Sequence, residues 1–290
     1  MIAISGLTKR YNGVPVVDDV TLEVPTGSVC GLLGRNGAGK TTTFKCLLGF
    51  AKPDAGSFTF DGAPLTTQTF AALGYVPERA QLYGWMTVRQ HMDLVRRTQP
   101  NYDEARANEL LATFRLDPRK KAKKLSKGQQ TALSLIVALA PKPSLLILDE
   151  PASGLDPVMQ RAVLDILVDS ATSGATILLS SHQIGQIERA ADRVAIMRDG
   201  KLVLSGVLDD LRAASKVVEA TFDGAIPDLG SVGGVMRWET AGLTARGYAN
   251  GRAENVAAQL TAIGGHGVRV LDRSLEDIFL QAVADDEGAH

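Results

Sequence analysis

The chain has 290 residues, 45% hydrophobic and 22% charged, enough for a full core in one large domain or two unequal ones. Its 31 basic and 32 acidic residues nearly cancel, which argues against a protein that works by coating nucleic acid. Two cysteines, Cys30 and Cys46, lack metal-ligand spacing and read as small buried hydrophobes of a reducing compartment.

Residues 1–30 read as β-structure: IAISGLTKRY, then VDDVTLEV with alternating apolar positions, then SVCGLLG. KTTTFKCLLG (40–49) reads as a helix opening straight after a Gly-rich loop, and FTFDG (58–62) as a short strand with a turn. Residues 85–139 are mostly helical in pattern. SLLILDE (144–150) is a short apolar run ending in two acids, which suits a buried parallel strand. RAVLDILVDSATSG (161–174) is an amphipathic helix with Gly174 placed to end it. ATILLSSH is a second buried strand, and VAIMRDGKLVLSG a hairpin turning at Asp199-Gly200. Strands alternating with helices predict an α/β fold with a largely parallel sheet.

The pattern changes after about residue 214. KVVEATFD, GVMRWETAG and LTARGYANG read as strands, AENVAAQLTAIGG as a helix, GVRVLDR as a strand, and SLEDIFLQAV as a final amphipathic helix. The expected division is therefore 1–214 and an α+β domain over 215–290, with a frayed tail DDEGAH. No run reaches the about 18 apolar residues of a spanning helix. The N-terminus has no basic head followed by a long apolar stretch, so no signal peptide is expected.

GRNGAGKTT (34–42) fits the pattern G-x-x-x-x-G-K-[ST]. Glycines let consecutive N–H groups curl toward phosphate oxygens, and the following helix aims its positive end at the same place. Gly34, Arg35, Asn36, Gly37, Ala38 and Gly39 would cradle the phosphates. Lys40 would reach the β- and γ-phosphates, Thr41 offers Mg²⁺ a hard oxygen, and Thr42 adds a phosphate hydrogen bond. A merely Gly-rich turn fits less well, because this loop follows a strand-like run and opens a helix. Asp149 and Glu150 end a buried strand, where ligands gather in parallel sheets. Asp149 would hold Mg²⁺ through water, and Glu150 would deprotonate an attacking water. His182 ends the next strand and would reach the γ-phosphate; alone, such a histidine is more often a surface or capping residue.

LSKGQQ (125–130) opens an apolar helix, with Ser126 placed as N-cap. In this order the motifs resemble the nucleotide-binding subunit of an ABC transporter, whose signature is usually LSGGQ. Leu125, Ser126, Lys127, Gly128 and Gln129 match that signature. Tyr11 matches the aromatic that stacks on adenine, GYVPE (74–78) the Q-loop, SGLD (153–156) the D-loop with Asp156 its acid, and His182 the switch histidine. The resemblance covers residues 1 to about 214. It implies a P-loop NTPase (RecA-like) core, an antiparallel β subdomain and a helical subdomain at about 80–140. It also implies ATP and Mg²⁺ as ligands, head-to-tail pairing with a second ATP-binding subunit, a permease on a separate membrane chain, and a place on the cytoplasmic face of that membrane. Each ATP would lie between the P-loop of one chain and the signature of the other, with Ser126 and Gly128 facing the γ-phosphate.

Two positions depart from the pattern. Glu78 stands where the Q-loop has glutamine; it keeps an oxygen for Mg²⁺ and adds charge. Lys127 stands where the signature has glycine, which adds a Cβ and would make a positive φ costly. Its ammonium either sits near the partner's γ-phosphate or points into water. The basic run Arg119, Lys120, Lys121, Lys123 and Lys124 reads as a solvated face. Tyr83, Trp85 and Met86 are candidates to line the groove that receives the permease.

SLEDIFL (274–280) resembles the extension of ABC-2-type exporter ATPases, and residues 215–290 carry no phosphate, metal or nucleophile constellation. Other soluble ABC ATPases fit less well. Repair and chromosome proteins insert a long coiled coil between P-loop and acidic strand, and translation factors carry two cassettes. A scaffold-assembly ATPase without a permease is the remaining alternative.

Overall fold

The computed structural model describes residues 1–64, 69, 72–214, 216–249 and 252–284. The tail 285–290 and the end of the LTARGYANG segment lie outside them. The chain divides into two compact units, Met1–Ser205 and Gly206–His290.

The first unit opens with an antiparallel pair, β1 (Ile2–Tyr11) and β2 (Val14–Val24). Their two-residue turn is Asn12-Gly13, both with positive φ, the conformation a twisted hairpin requires. Strands β4 (Ala55–Phe60) and β5 (Ala63–Pro64) complete a four-stranded sheet in the order β2-β1-β4-β5. β4 starts before the FTFDG segment, because Ser5 through Ile2 of β1 pair it from Ser57 to Phe60 and Thr8 extends the pairing to Ala55.

The second sheet has six strands, ordered β10-β9-β3-β8-β7-β6. These are β3 (Val29–Gly34), β6 (Leu73–Val76), β7 (Leu145–Asp149), β8 (Thr176–Ser180), β9 (Arg193–Arg198) and β10 (Lys201–Val207). β3, β7 and β8 are buried at every position, as continuous apolar runs in a parallel sheet must be. β3 pairs in parallel with β8 and β9, and β7 with β6 and β8. The β9–β10 connection turns at Asp199-Gly200 with both φ angles positive. Cys30, Leu32, Phe44, Leu47, Ile147, Leu178 and Met197 pack into one core with Ile4, Leu7 and Val20 of the antiparallel sheet. Both cysteines are buried in that core, and burial pushes the Cys30 thiol up to about 12.

Helix α1 (Lys40–Leu47) follows β3 directly. The helical stretch holds α2 (Val88–Thr98), α3 (Glu104–Thr113) and α4 (Lys127–Leu139). Thr87 and Gln90 form a capping box at α2, Ser126 and Gln129 another at α4, and Asp103 caps α3. Each such cap is worth about 1 kcal/mol. Helix α5 runs Pro157–Thr172, starting four residues before the periodic segment that predicts it. The Asp156 side chain caps it and Pro157 occupies the first turn, where a missing N–H costs nothing. Gly174 follows with φ 102°. Helix α6 (Ile184–Ala190) and strand β6 are too short to announce themselves by periodicity.

The second unit holds α7 (Leu208–Ala214), then β11 (Lys216–Thr221), β12 (Val235–Ala241), β13 (Thr244–Ala249), α8 (Ala253–Ala262), β14 (His266–Asp272) and α9 (Leu275–Val283). The strands form an antiparallel sheet ordered β12-β13-β11-β14. Val218, Ala220, Ala245, Val256 and Leu260 form its core with α8. Ser274 caps α9. Among the described residues no helix is long and apolar enough to cross a membrane.

Candidate functional site

The carboxyl ends of β3, β6, β7 and β8 carry polar residues onto one edge of the parallel sheet. A cleft of about 430 Å³ opens there. Asn36, Gly37, Ala38, Gly39, Lys40, Thr41, Thr42, Glu78, Asp149, Glu150, Ser153 and His182 line it, with Val16 of β2. Parallel register explains the convergence, since Asp149 of β7 lies beside Ser180 of β8.

The loop is shaped by glycine. Gly39 has φ 103°, and a Cβ there would stand 2.6 Å from the Val16 carbonyl oxygen, so only glycine fits. Lys40 opens α1 and is 8% exposed. Its ammonium donates to the carbonyls of Gly34 at 2.6 Å and Arg35 at 3.3 Å. Burial pulls the Lys40 pKa below its ordinary value, and the carboxylates of Glu150, Asp149 and Glu78 pull it back up.

Asp149 is 2% exposed, and each of its carboxylate oxygens accepts one hydrogen bond. Oδ2 accepts from the Thr41 hydroxyl at 2.8 Å and Oδ1 from the Ser180 hydroxyl at 2.6 Å. Glu150 follows with φ 53°, a left-handed conformation that is costly for a residue with a side chain. Two contacts hold it: its N–H donates to the Ser180 carbonyl at 3.2 Å and to the Ser180 hydroxyl at 3.1 Å. Its carboxylate Oε2 sits 2.8 Å from Nδ1 of His182, whose side chain is 53% exposed. Ser180 thus organises both acids, and no motif in the sequence marks it. Its only signal is position, as the last residue of the strand beside Asp149.

Other predicted positions lie outside this cleft. Tyr11 ends β1, is 45% exposed, and has the Lys9 ammonium 5.2 Å from its ring centroid. Residues 125–129 form the start of α4. Ser126 Oγ accepts from the Gln129 N–H at 3.2 Å, and Gln129 Oε1 accepts from the Ser126 N–H at 3.2 Å. Lys127 is the first helical residue and has no positive φ, so its Cβ costs no backbone strain, contrary to the expectation from the glycine pattern. Its methylenes lie beside Gly154, and a Cβ on Gly128 would stand 3.1 Å from the Gly154 carbonyl oxygen. The signature turn and the SGLD segment therefore touch within one chain. Lys127 makes no ion pair among the described residues, whereas Lys120, read as part of a solvated face, is half-buried and bonded to Gln129 at 3.2 Å.

A larger cleft, about 550 Å³, opens at the amino ends of β7 and β8, away from these groups. Four of its five charged side chains form ion pairs, Lys142 with Asp103 at 2.5 Å and Arg106 with Glu109 at 2.9 Å; the fifth is Asp169.

Comparison with known proteins fits this geometry. The ABC transporter family profile matches residues 17–153. The uncharacterized ABC transporter ATP-binding protein YhaQ of Bacillus subtilis is 34% identical, over 98% of this chain and 98% of its own length. The Nod factor export ATP-binding protein I of Rhizobium meliloti is 35% identical, over 97% of this chain and 87% of its own. A solved ATP-binding subunit of an ABC transporter is 32% identical and superposes with a TM-score of 0.68, covering 73% of this chain and 92% of its own. The chain belongs to the ABC transporter ATP-binding proteins, a family of ATPases.

Proposed function

We propose that this chain is the ATP-hydrolysing subunit that energises a separate membrane permease, in the direction of export. The observation that carries the reading is the convergence of Lys40, Thr41, Asp149, Glu150 and His182 on one cleft. Two relatives matched along nearly the whole chain support it, one of them named for Nod factor export. In this reading the membrane passage belongs to a permease on another chain, and this subunit works at the cytoplasmic face of that membrane; no described helix is long and apolar enough to cross it.

In this reading the loop 34–39 and the amino end of α1 bind the phosphates through N–H groups and dipole. Lys40 turns its ammonium from the Gly34 and Arg35 carbonyls to the β- and γ-phosphates. Thr42 donates beside it, and Tyr11 stacks on adenine. The site suits Mg²⁺, because the Thr41 hydroxyl and the Asp149 and Glu78 carboxylates all offer oxygen. Thr41, Asp149 and Glu78 would hold the ion, which would supply positive charge to the phosphates.

Glu150 accepts a proton from the attacking water, and His182, hydrogen-bonded to its carboxylate, orients it and faces the γ-phosphate. The remaining catalytic work is electrostatic stabilisation of the transferring phosphoryl group. A second copy supplies residues 125–129 to that phosphate, and Asp156 fixes the adjoining segment by capping α5. Trp85, 68% exposed, and Tyr83 offer the permease an aromatic contact. Residues 215–290 act as an accessory domain of this exporter subunit.

Glu150→Gln tests the reading. The variant is expected to bind ATP and accumulate as an ATP-joined pair in light scattering while turnover stops. Normal hydrolysis in that variant would remove Glu150 as the base.

A further inference from the structure

The basic segment before the signature turn is not uniform. Arg119, Lys121, Lys123 and Lys124 are exposed, but Lys120 is half-buried. Its ammonium donates to Gln129 Oε1 at 3.2 Å, the same oxygen that accepts the Ser126 N–H. A carbonyl oxygen has two lone pairs, and both are used here. The ammonium is the stronger of the two donors, because it is charged. It therefore fixes the rotamer of the side chain that closes the capping box around Ser126.

The main chain of Lys120 is equally constrained. Val88 N–H donates to the Lys120 carbonyl at 3.0 Å, and Arg89 N–H to that of Pro118 at 2.9 Å. On the other side Ala122 N–H donates to Met86 O at 2.9 Å and Lys123 N–H to Gly84 O at 3.1 Å. Thr87 and Lys121 form an antiparallel bridge between them. The strap 118–123 is thus paired along its length with residues 84–89, which carry the exposed Trp85. Tyr83 next to them is anchored too: its N–H donates to His91 Nε2 at 3.1 Å and its ring stacks on that imidazole.

We propose that Lys120 is a positioning residue of the signature turn, whose ammonium locks Gln129 and thereby ties Ser126 to the strap beneath the Tyr83–Trp85 aromatic pair. A displacement of that aromatic segment is then carried to Ser126 through main-chain pairing and one charged hydrogen bond. The inference rests on the reading of residues 125–129 as half of an ATP site shared between two copies.

The test uses the full chain carrying Glu150→Gln, with Lys120→Met, Lys120→Arg or Ser126→Arg added. ATP-dependent pairing is measured by light scattering, ATP affinity on dilute unpaired chains, and amide exchange by mass spectrometry. Lys120→Met is expected to weaken pairing about threefold to tenfold, the effect of one partly exposed charged hydrogen bond. ATP affinity of the unpaired chain and the melting temperature stay at parent values. Amides of 125–131 exchange faster while 118–123 stay protected, and Lys120→Arg restores most of the pairing. Parent-like pairing by Lys120→Met overturns the proposal. So does a loss accompanied by a lower melting temperature and faster exchange throughout 84–123, which marks a general structural role. Ser126→Arg separates the two levels. If it blocks pairing while Lys120→Met pairs normally, only the role of Lys120 falls; if it pairs normally with ATP, the shared-site reading falls.

Discussion

In the cleft, Asp149 receives the Thr41 hydroxyl from 108 residues away and the Ser180 hydroxyl from 31 away. In the signature turn, Ser126 and Gln129 satisfy each other across three residues, with Lys120 nine residues from Gln129 as outside support. The first constellation exists only once the parallel sheet has its register. The second is a helix start that forms with its own turn. Burial divides them too, since Lys40 and Asp149 are buried while Ser126 and Lys127 are exposed. Chemistry that needs desolvated, fixed charges is placed where the core enforces geometry. The surface proposed to meet a second copy is placed on a local motif that survives exposure.

That contrast can be broken by substitution. The largest effect is expected from Glu150→Gln, which removes the proposed base from a residue the sheet holds in a left-handed conformation. The maximal ATPase rate should fall by about 10²- to 10⁴-fold with ATP affinity retained. A rate within tenfold of the parent would mean another group takes the proton.

Ser180→Ala follows. It strips one hydrogen bond from the buried Asp149 and one from the Glu150 N–H. A loss of about ten- to a hundredfold in ATPase rate is expected. An unchanged rate would show that the β7–β8 register alone places both acids.

Ser126→Ala probes the local motif. It removes a cap worth about 1 kcal/mol of stability, visible as a small fall in melting temperature. ATP affinity of the unpaired chain stays at the parent value, and the loss appears in the ATP concentration needed for half-maximal turnover. Weakened binding by the single chain would mean the turn acts on its own cleft.

The smallest effect concerns the core itself. Burial raises the pKa of both thiols, so Cys30 and Cys46 should resist thiol reagents at pH 8 until the chain unfolds. Labelling of the native protein would show the sheet opening more readily than its packing implies.

Much of the cleft was legible before any coordinates, because the P-loop and the strand-ending acids are local strings with a definite mechanism. The strands of the second unit are equally plain as consecutive short β-like segments. What escaped were features set by register or by short length. Ser180 matters only because β8 lies beside β7, and nothing in LLSSH says so. Lys120 reads as one more cation until the pairing of 118–123 with 84–89 turns it toward Gln129. The start of α5 lies before its periodic segment because Asp156, the last residue of SGLD, caps the helix and Pro157 opens it. Lys127 carries no backbone strain, since the chain there is already helical.

The central claim is that the cleft of one copy and the signature turn of another make one ATP site. Mixing two defective variants tests it most directly, both in the Glu150→Gln background. One carries Lys40→Ala and the other Ser126→Arg. Alone, with ATP and Mg²⁺, each should remain unpaired in light scattering. Mixed, they should form a pair, because the intact cleft of one meets the intact signature turn of the other. A mixture that stays unpaired, or a single variant that pairs by itself, would contradict the account.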